Sequence, residues 1–386
     1  MVLIKEKLMI KFNEPYITNQ ELENIKKVFE KLNFSGAGYF TEKCQTQISN
    51  IIQKENILLT DSCTSALEIS ALMIRDWNKE QEVMVPSYTF PSTASAFIKC
   101  GFKVVFVDIE PKSLMIDVND AKKKINKNTV AIVPVHYAGH VANIEGIKKL
   151  SNDYEIDIIE DAAQAFGIKL NENYCGSFGR FGCFSFHETK NIHAGLSGAL
   201  VCNDEKDLEK AMCIWERGTN RQNALKGLVD KYSWVEIGGS FYPSELQAAF
   251  LSSQLENIES NRSKRKSIYS CYYEDLINLR DKNQLHFPDI PDNVLSNYHA
   301  FYIILPSEEK CDYLRTCLKS HNINAFIGYV PLHSSKVGKK INSNKNALPV
   351  TESISAKVLR LPFHNNLSIS DVKLITGKIN DIIKKK

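Results

Sequence analysis

The sequence predicts an α/β protein: a mainly parallel sheet in a large domain, followed by a smaller C-terminal α+β domain. Three observations carry that expectation. Short Val- and Ile-rich runs alternate with amphipathic stretches over the first two-thirds of the chain. The texture changes beyond about Gln254. The chain also has 386 residues, more than the roughly 250–300 at which a single core stops growing.

Each element follows from its residues. Val83 to Pro86, Val104 to Asp108, Val130 to Val135 and Ile156 to Glu160 are near-continuous apolar runs, as strands covered on both faces require. Ser92 to Lys99 and Val141 to Ser151 place apolar residues at helical spacing between them. Strand, helix and strand in that order imply parallel pairing with helices on both faces. Leu255 to Ile277 is long, charged and helical, and Phe287-Pro288-Asp289-Ile290-Pro291 suits a turn or linker. His299 to Leu305, Cys311 to Ser320, Ala356 to Leu361 and Asp371 to Lys384 complete a small α+β unit. The expected division is therefore 1–254 and 255–386.

Composition narrows the function. Lys and Arg number 48 against 45 Asp and Glu, a net charge of +3, too balanced for a dedicated nucleic-acid binder. Lys384-Lys385-Lys386 is a short solvated end. No apolar run approaches the ~20 residues of a bilayer span. Met1 to Phe12 is broken by Lys5, Glu6, Lys7 and Lys11, so it lacks the apolar centre of a signal peptide. Ten cysteines without any Cys-x-x-Cys pair are expected as buried thiols in a reducing cytosol, with no metal site.

Parallel sheets bind ligands outside the carboxyl ends of their strands, and four segments fall there. Asp61 to Glu68 carries Ser62, Thr64 and Ser65 before an apolar helical run; the hydroxyls either cap that helix or join its N–H groups in holding a phosphate. In Pro86-Ser87-Tyr88-Thr89-Phe90, Phe90 is either core or a face for a flat heteroaromatic ring. Asp161, where Ile158-Ile159-Glu160 ends, either caps the next helix or holds a positive ring nitrogen. Lys190 follows Gly182 to Thr189 and is either a surface charge or a reactive amine. A phosphate cradle, a stacking face, an acid for a pyridine nitrogen and an amine for an aldehyde together describe pyridoxal 5′-phosphate. The acid keeps the ring electron-withdrawing, and the lysine, once displaced from the cofactor, is free to carry a proton. His136, His187 and His193 lie near these segments; His187 either faces the cleft or is structural.

The chain also resembles the DegT/DnrJ/StrS-type nucleotide-sugar aminotransferases of fold type I. The resemblance runs from Phe12 to the C-terminal helix. Val85 to Phe90, Pro134-Val135-His136-Tyr137-Ala138-Gly139, Glu160 to Gln164 and Phe184 to Asn191 carry it. Arg217-Gly218-Thr219-Asn220-Arg221, Val229 to Trp234 and Ser244 to Ala249 are similar to the group that makes dTDP-4-amino-4,6-dideoxygalactose. The resemblance implies a cytoplasmic, pyridoxal-phosphate-dependent transaminase in which Lys190 is the Schiff-base lysine, Asp161 pairs with the ring nitrogen and Phe90 stacks on the ring. It also implies that Gln164 touches the ring hydroxyl and that Thr64, Ser65 and Ser185 hold the phosphate. Glutamate and a dTDP-linked 4-keto-6-deoxyhexose are the implied substrates, with Arg221 and Lys231 placed either at the sugar nucleotide's diphosphate or on a solvated face. A homodimer with shared active sites is implied too, with Ser240 at the cross-subunit phosphate contact where many relatives carry Asn. Amination at C3, a UDP-linked substrate, a 4-amino-gluco product and a catalytically silent sensor are the alternatives. One departure stands out: where relatives follow the lysine with Glu-Gly-Gly, this chain has Ala194-Gly195-Leu196-Ser197-Gly198.

Overall fold

In the computed structural model, which describes residues 9–225, 227–341 and 347–384, the strands fall into three sheets. The first eight residues of the Met1 to Phe12 segment and Lys385 and Lys386 lie outside the described residues. In chain order the strands are β1 (Ile57–Thr60), β2 (Glu82–Pro86), β3 (Lys103–Val107), β4 (Thr129–Ile132), β5 (Asp157–Asp161), β6 (Lys169–Leu170), β7 (Asn173–Tyr174), β8 (Phe181–Ser185) and β9 (Gly198–Cys202). They continue with β10 (Val294–Leu295), β11 (Tyr302–Ile304), β12 (Phe326–Ile327) and β13 (Val358–Arg360).

The main sheet has the order β1-β9-β8-β5-β4-β2-β3. Pairing from β3 through β8 is parallel, and only β9 runs against its neighbours. Strands β1, β2, β8 and β9 are buried along their whole length, as a sheet with helices on both faces requires. One face packs on the Cys63–Ile74, Ser92–Lys99 and Leu208–Trp215 helices; the other packs on Tyr39–Ile52 and Glu245–Glu256.

The strands differ from the sequence expectation in detail. The run Val130 to Val135 forms a ladder only as far as Ile132, because Pro134 has no N–H to give; Val135 keeps a single bridge to Asp161. The helix expected over Val141 to Ser151 starts at Ile144, where the Asn143 side chain accepts from the Gly146 N–H. The long helix expected from Leu255 starts at Ile258, after a break at Asn257 (φ −103°, ψ 14°), and extends to Asp281.

A separate core gathers that helix, the antiparallel sheet β11-β13-β12 and the Glu308–Ser320 and Ile369–Lys384 helices. The N-terminal segment joins it: Ile10 bridges to Ile323, and the Phe363 N–H donates to the Phe12 carbonyl at 3.0 Å. In return, β10 pairs with β6 of the first part. Chain exchange in both directions fixes the two parts against each other, with the carboxyl ends of β1, β2, β5 and β8 facing the seam.

Candidate active site

The register of the main sheet brings distant residues level. Thr60 and Ser185 both pair with Gly198, and Asp161 pairs with Cys183. Ser185 therefore lies beside the turn from β1 into the Cys63–Ile74 helix. There Ser62 Oγ accepts from the Ser65 N–H at 3.1 Å and lies 3.0 Å from Ser65 Oγ, while Thr64 Oγ1 donates to Ser92 Oγ at 2.8 Å. Ser62 thus caps the helix. Thr64, Ser65 and Ser185 remain as hydroxyls gathered at its positive end, a donor set suited to a phosphate. Gly198 is required here: a Cβ would overlap the backbone of Ser62 and Cys63.

Asp161, only 4% exposed, ends β5. Its Oδ2 accepts from Thr93 Oγ1 at 2.6 Å and its Oδ1 from the Ala163 N–H at 3.2 Å. Burial pushes its carboxyl above the ordinary value, while Thr93, Ala163 and the charge on Lys190 pull it back. Both oxygens keep lone pairs for a protonated ring nitrogen.

Lys190 is half-buried, and its Nζ takes no hydrogen-bond partner among the described residues. Burial lowers its pKa; Cys63 and Asp161 oppose that and Arg360 adds to it. Its neighbour Asn191 is clamped: Oδ1 meets His299 Nδ1 at 2.8 Å, Nδ2 donates to the Asn297 carbonyl at 2.7 Å, and its own carbonyl accepts from Asn261 Nδ2 at 2.6 Å. The lysine thus sits on a backbone held from the C-terminal part of the chain.

Gln164 Oε1 accepts from the Ala138 N–H at 2.8 Å and its Nε2 donates to Tyr329 Oη at 3.1 Å. Phe90 is 58% exposed, so it is no core residue, and its ring lies 6.5 Å from that of Tyr329. An exposed ring beside a buried acid, an unpartnered amine and a helix-end cluster of hydroxyls fits pyridoxal 5′-phosphate.

The other sequence candidates lie elsewhere. His187 is half-buried, with Nδ1 turned back on Thr189 (3.0 Å to Oγ1, 3.2 Å from its N–H); burial and the Lys190 charge lower its pKa. Arg221 donates to the buried Glu216 at 2.7 Å. Lys231 and Ser240 are exposed, Ser240 forming a bridge with Glu216. Leu196 is 49% exposed and its carbonyl accepts from Gln247 Nε2 at 2.6 Å; Ser197 is buried and donates to the Thr60 carbonyl at 2.9 Å.

Four residues of the cleft escaped the sequence reading: Thr93, His299, Tyr329 and Arg360. Thr93 had a signal, a hydroxyl in the first helical turn after Phe90. The other three come from the C-terminal part with no motif around them.

Residues 15–380 match the DegT/DnrJ/EryC1/StrS aminotransferase family. The GDP-perosamine synthase of Vibrio cholerae is 27% identical over 378 residues, covering 97% of this chain and 99% of that protein. A crystal structure of a DegT DnrJ EryC1 StrS aminotransferase from Brucella abortus is 29% identical with a TM-score of 0.84, covering 94% and 95% of the two chains. The aminotransferase TlmJ from Streptoalloteichus hindustanus superposes with a TM-score of 0.89 at 23% identity, over 98% and 99%.

Proposed function

The chain belongs to the DegT/DnrJ/EryC1/StrS aminotransferase family, and from that premise we propose that it transfers an amino group from glutamate to C4 of dTDP-4-keto-6-deoxy-D-glucose, giving dTDP-4-amino-4,6-dideoxygalactose and 2-oxoglutarate. Its cofactor is pyridoxal 5′-phosphate, which when bound supplies a carbonyl that takes up the amine and an electron-poor ring that stabilises charge on the adjacent carbon. The residues of the chain do the rest. Thr64, Ser65 and Ser185 hold the phosphate, Phe90 covers one face of the ring, and Gln164 reaches the ring hydroxyl. Asp161 keeps a proton on the ring nitrogen. Lys190 Nζ, with a pKa lowered by burial, gives and takes the proton on the substrate carbon. An amine without a hydrogen-bond partner among the described residues, near enough to feel the charge of a buried, hydrogen-bonded carboxylate, is the observation that carries the reading.

Lys231 is exposed and free to meet the diphosphate of the sugar nucleotide; Arg221 is engaged by Glu216, and His187 Nδ1 by Thr189. We also propose a cytoplasmic homodimer with shared active sites, in which the partner covers apolar side chains of the 221–240 segment around Trp234 and leaves Lys231 open. Leu225, Leu228, Tyr232, Trp234, Val235 and Ile237 are all exposed there, more apolar surface than a monomer usually leaves open. Ser240 on that segment would then complete the partner's phosphate site. Such a product suits surface polysaccharide synthesis.

The similarity to a GDP-perosamine synthase favours a GDP-linked keto sugar as the second reading. The deciding experiment incubates the pyridoxal-phosphate-loaded protein with glutamate and dTDP-, GDP- or UDP-linked keto sugars and identifies products by NMR. Amine at C4 of the dTDP sugar with galacto configuration is expected. Amine at C3, a gluco product or turnover only with another nucleotide overturns the substrate assignment. Borohydride should fix the cofactor on Lys190, and Lys190→Ala should bind cofactor without turnover. A colourless protein that takes up no pyridoxal phosphate overturns the aminotransferase reading itself and leaves the silent sensor.

A further inference from the structure

Ser87 is the first residue after β2 and fully buried, and the loop that follows β12 is sewn to it. The Leu332 N–H donates to the Ser87 carbonyl at 2.9 Å, and the His333 N–H donates to Ser87 Oγ at 3.1 Å. His333 is buried as well, with Nδ1 2.6 Å from the same Oγ and Nε2 3.0 Å from Glu352 Oε1. Glu352 is placed in turn by Asp108, just beyond β3. The Asp108 carboxylate accepts from the Val350 and Thr351 N–H groups at 3.0 and 2.7 Å and from Thr351 Oγ1 at 2.6 Å. These contacts fix the tautomer of the imidazole. The Ser87 hydroxyl proton has no acceptor among the described residues other than His333 Nδ1, so Nε2 carries the ring proton that meets the Glu352 carboxylate.

A serine, a histidine and an acid in that order are the parts of a hydrolytic triad, but Ser87 has no exposure, so no substrate reaches its hydroxyl. The chain of bonds acts instead on the turn that Ser87 opens. Three residues on, Phe90 stands exposed at the cleft, and three residues further Thr93 donates to Asp161 and meets Thr89 Oγ1 at 2.9 Å. The Thr93 N–H closes the turn on the Phe90 carbonyl at 3.2 Å. On the other side the Tyr88 ring lies 5.5 Å from that of Tyr329, and Gly328 admits the Tyr88 hydroxyl where a Cβ would overlap it. One end of the turn is therefore held through His333 and the other through Asp161. An exposed ring has no core around it to hold it, so the place of Phe90 depends on these two anchors.

We propose that His333 is a positioning residue that, through Ser87, sets the ring of Phe90 against the cofactor. This rests on the aminotransferase reading. The test compares His333→Asn, whose side-chain oxygen takes the place of Nδ1 and accepts from Ser87, with His333→Gln, whose longer amide takes the place of Nε2, keeps Glu352 and loses Ser87. Absorbance titration measures pyridoxal phosphate affinity, and visible circular dichroism reads the packing of the bound ring. His333→Gln should weaken cofactor binding about five- to tenfold, as the loss of one buried hydrogen bond at an anchor allows, and should change the cofactor's dichroic band. His333→Asn should stay within about twofold of wild type and keep the band. Ser87→Ala removes the same contact without adding bulk and should show the same loss as His333→Gln. Added to Phe90→Leu, His333→Gln should cost no further affinity, because the face it sets is already gone. Equal losses in the Asn and Gln variants, additive losses in the double variant, or wild-type affinity and dichroism in both His333→Gln and Ser87→Ala overturns the proposal. Melting temperatures of the same samples report on folding. A wild-type protein that takes up no pyridoxal phosphate overturns the aminotransferase reading, and this proposal with it.

Discussion

Replacing Thr93 by Val removes one hydroxyl from beside Asp161 and almost nothing else, since the two side chains share a shape. Thr93 is fully buried and donates to Asp161 Oδ2 at 2.6 Å. A hydrogen bond to a charged group is worth about 1.5–3 kcal/mol. Its loss should raise the Asp161 pKa further, by about one to two units, beyond the elevation that burial already imposes. A carboxyl that protonates more readily holds the ring-nitrogen proton less firmly, and the same free energy taken from the transition state corresponds to a fall in kcat of about 10- to 100-fold. The fold should suffer as well, because Thr89 Oγ1 loses its partner at 2.9 Å in a site only 2% exposed; about 1–3 kcal/mol is expected for that orphaned group. Turnover and cofactor affinity measured from pH 6 to 9 separate the two effects. The rate loss should deepen as pH falls toward the raised pKa, and Thr93→Ser should restore it. Wild-type turnover and cofactor affinity across that range in Thr93→Val would refute the electronic role given to Asp161.

Gly198→Ala should weaken pyridoxal phosphate binding at least tenfold, because the added methyl collides with the Ser62–Cys63 backbone that shapes the phosphate site; unchanged affinity in an absorbance titration would remove that cradle. His140 is 6% exposed, and burial lowers its imidazole from 6.5 to about 4. A depressed histidine gives stability above its unfolded pKa that is lost as pH falls toward the folded one. Urea unfolding should therefore lose about 3 kcal/mol between pH 7 and 4 from this group alone, and His140→Gln should lessen the pH dependence by that amount; an unchanged slope counts against it.

Much of the sheet was legible because strands buried on both faces are largely apolar, as the Val83 to Pro86 run of β2 is. The site followed from it, since strand ends are few and Asp161 and Lys190 stand at or just beyond two of them. Where backbone chemistry intervened, pattern failed: Pro134 ended a ladder that the Val130 to Val135 run continues on paper. Phe90 shows the limit of composition, because base rates of aromatic burial place it inside, whereas it is exposed at the cleft. Arg360 and His299 were illegible for another reason. Their charge or ring bears on Lys190 and its neighbour Asn191 only through tertiary folding, across 360 − 190 = 170 and 299 − 190 = 109 residues, and the strand and loop that carry them have no pattern tied to that lysine.

The loop after Lys190 joins these threads. Leucine in place of an acid looks like a lesion when only sequence is compared, but the loop is fastened by other groups. Ser197 ties it to Thr60, Gln247 ties the Leu196 carbonyl to the Glu245–Glu256 helix, and Gly198 keeps its contact with the phosphate turn. None of these three contacts uses the side chain at position 196, which is turned half to solvent. The backbone at the base of the loop shapes the site, and that backbone is held whether or not the residue carries a charge.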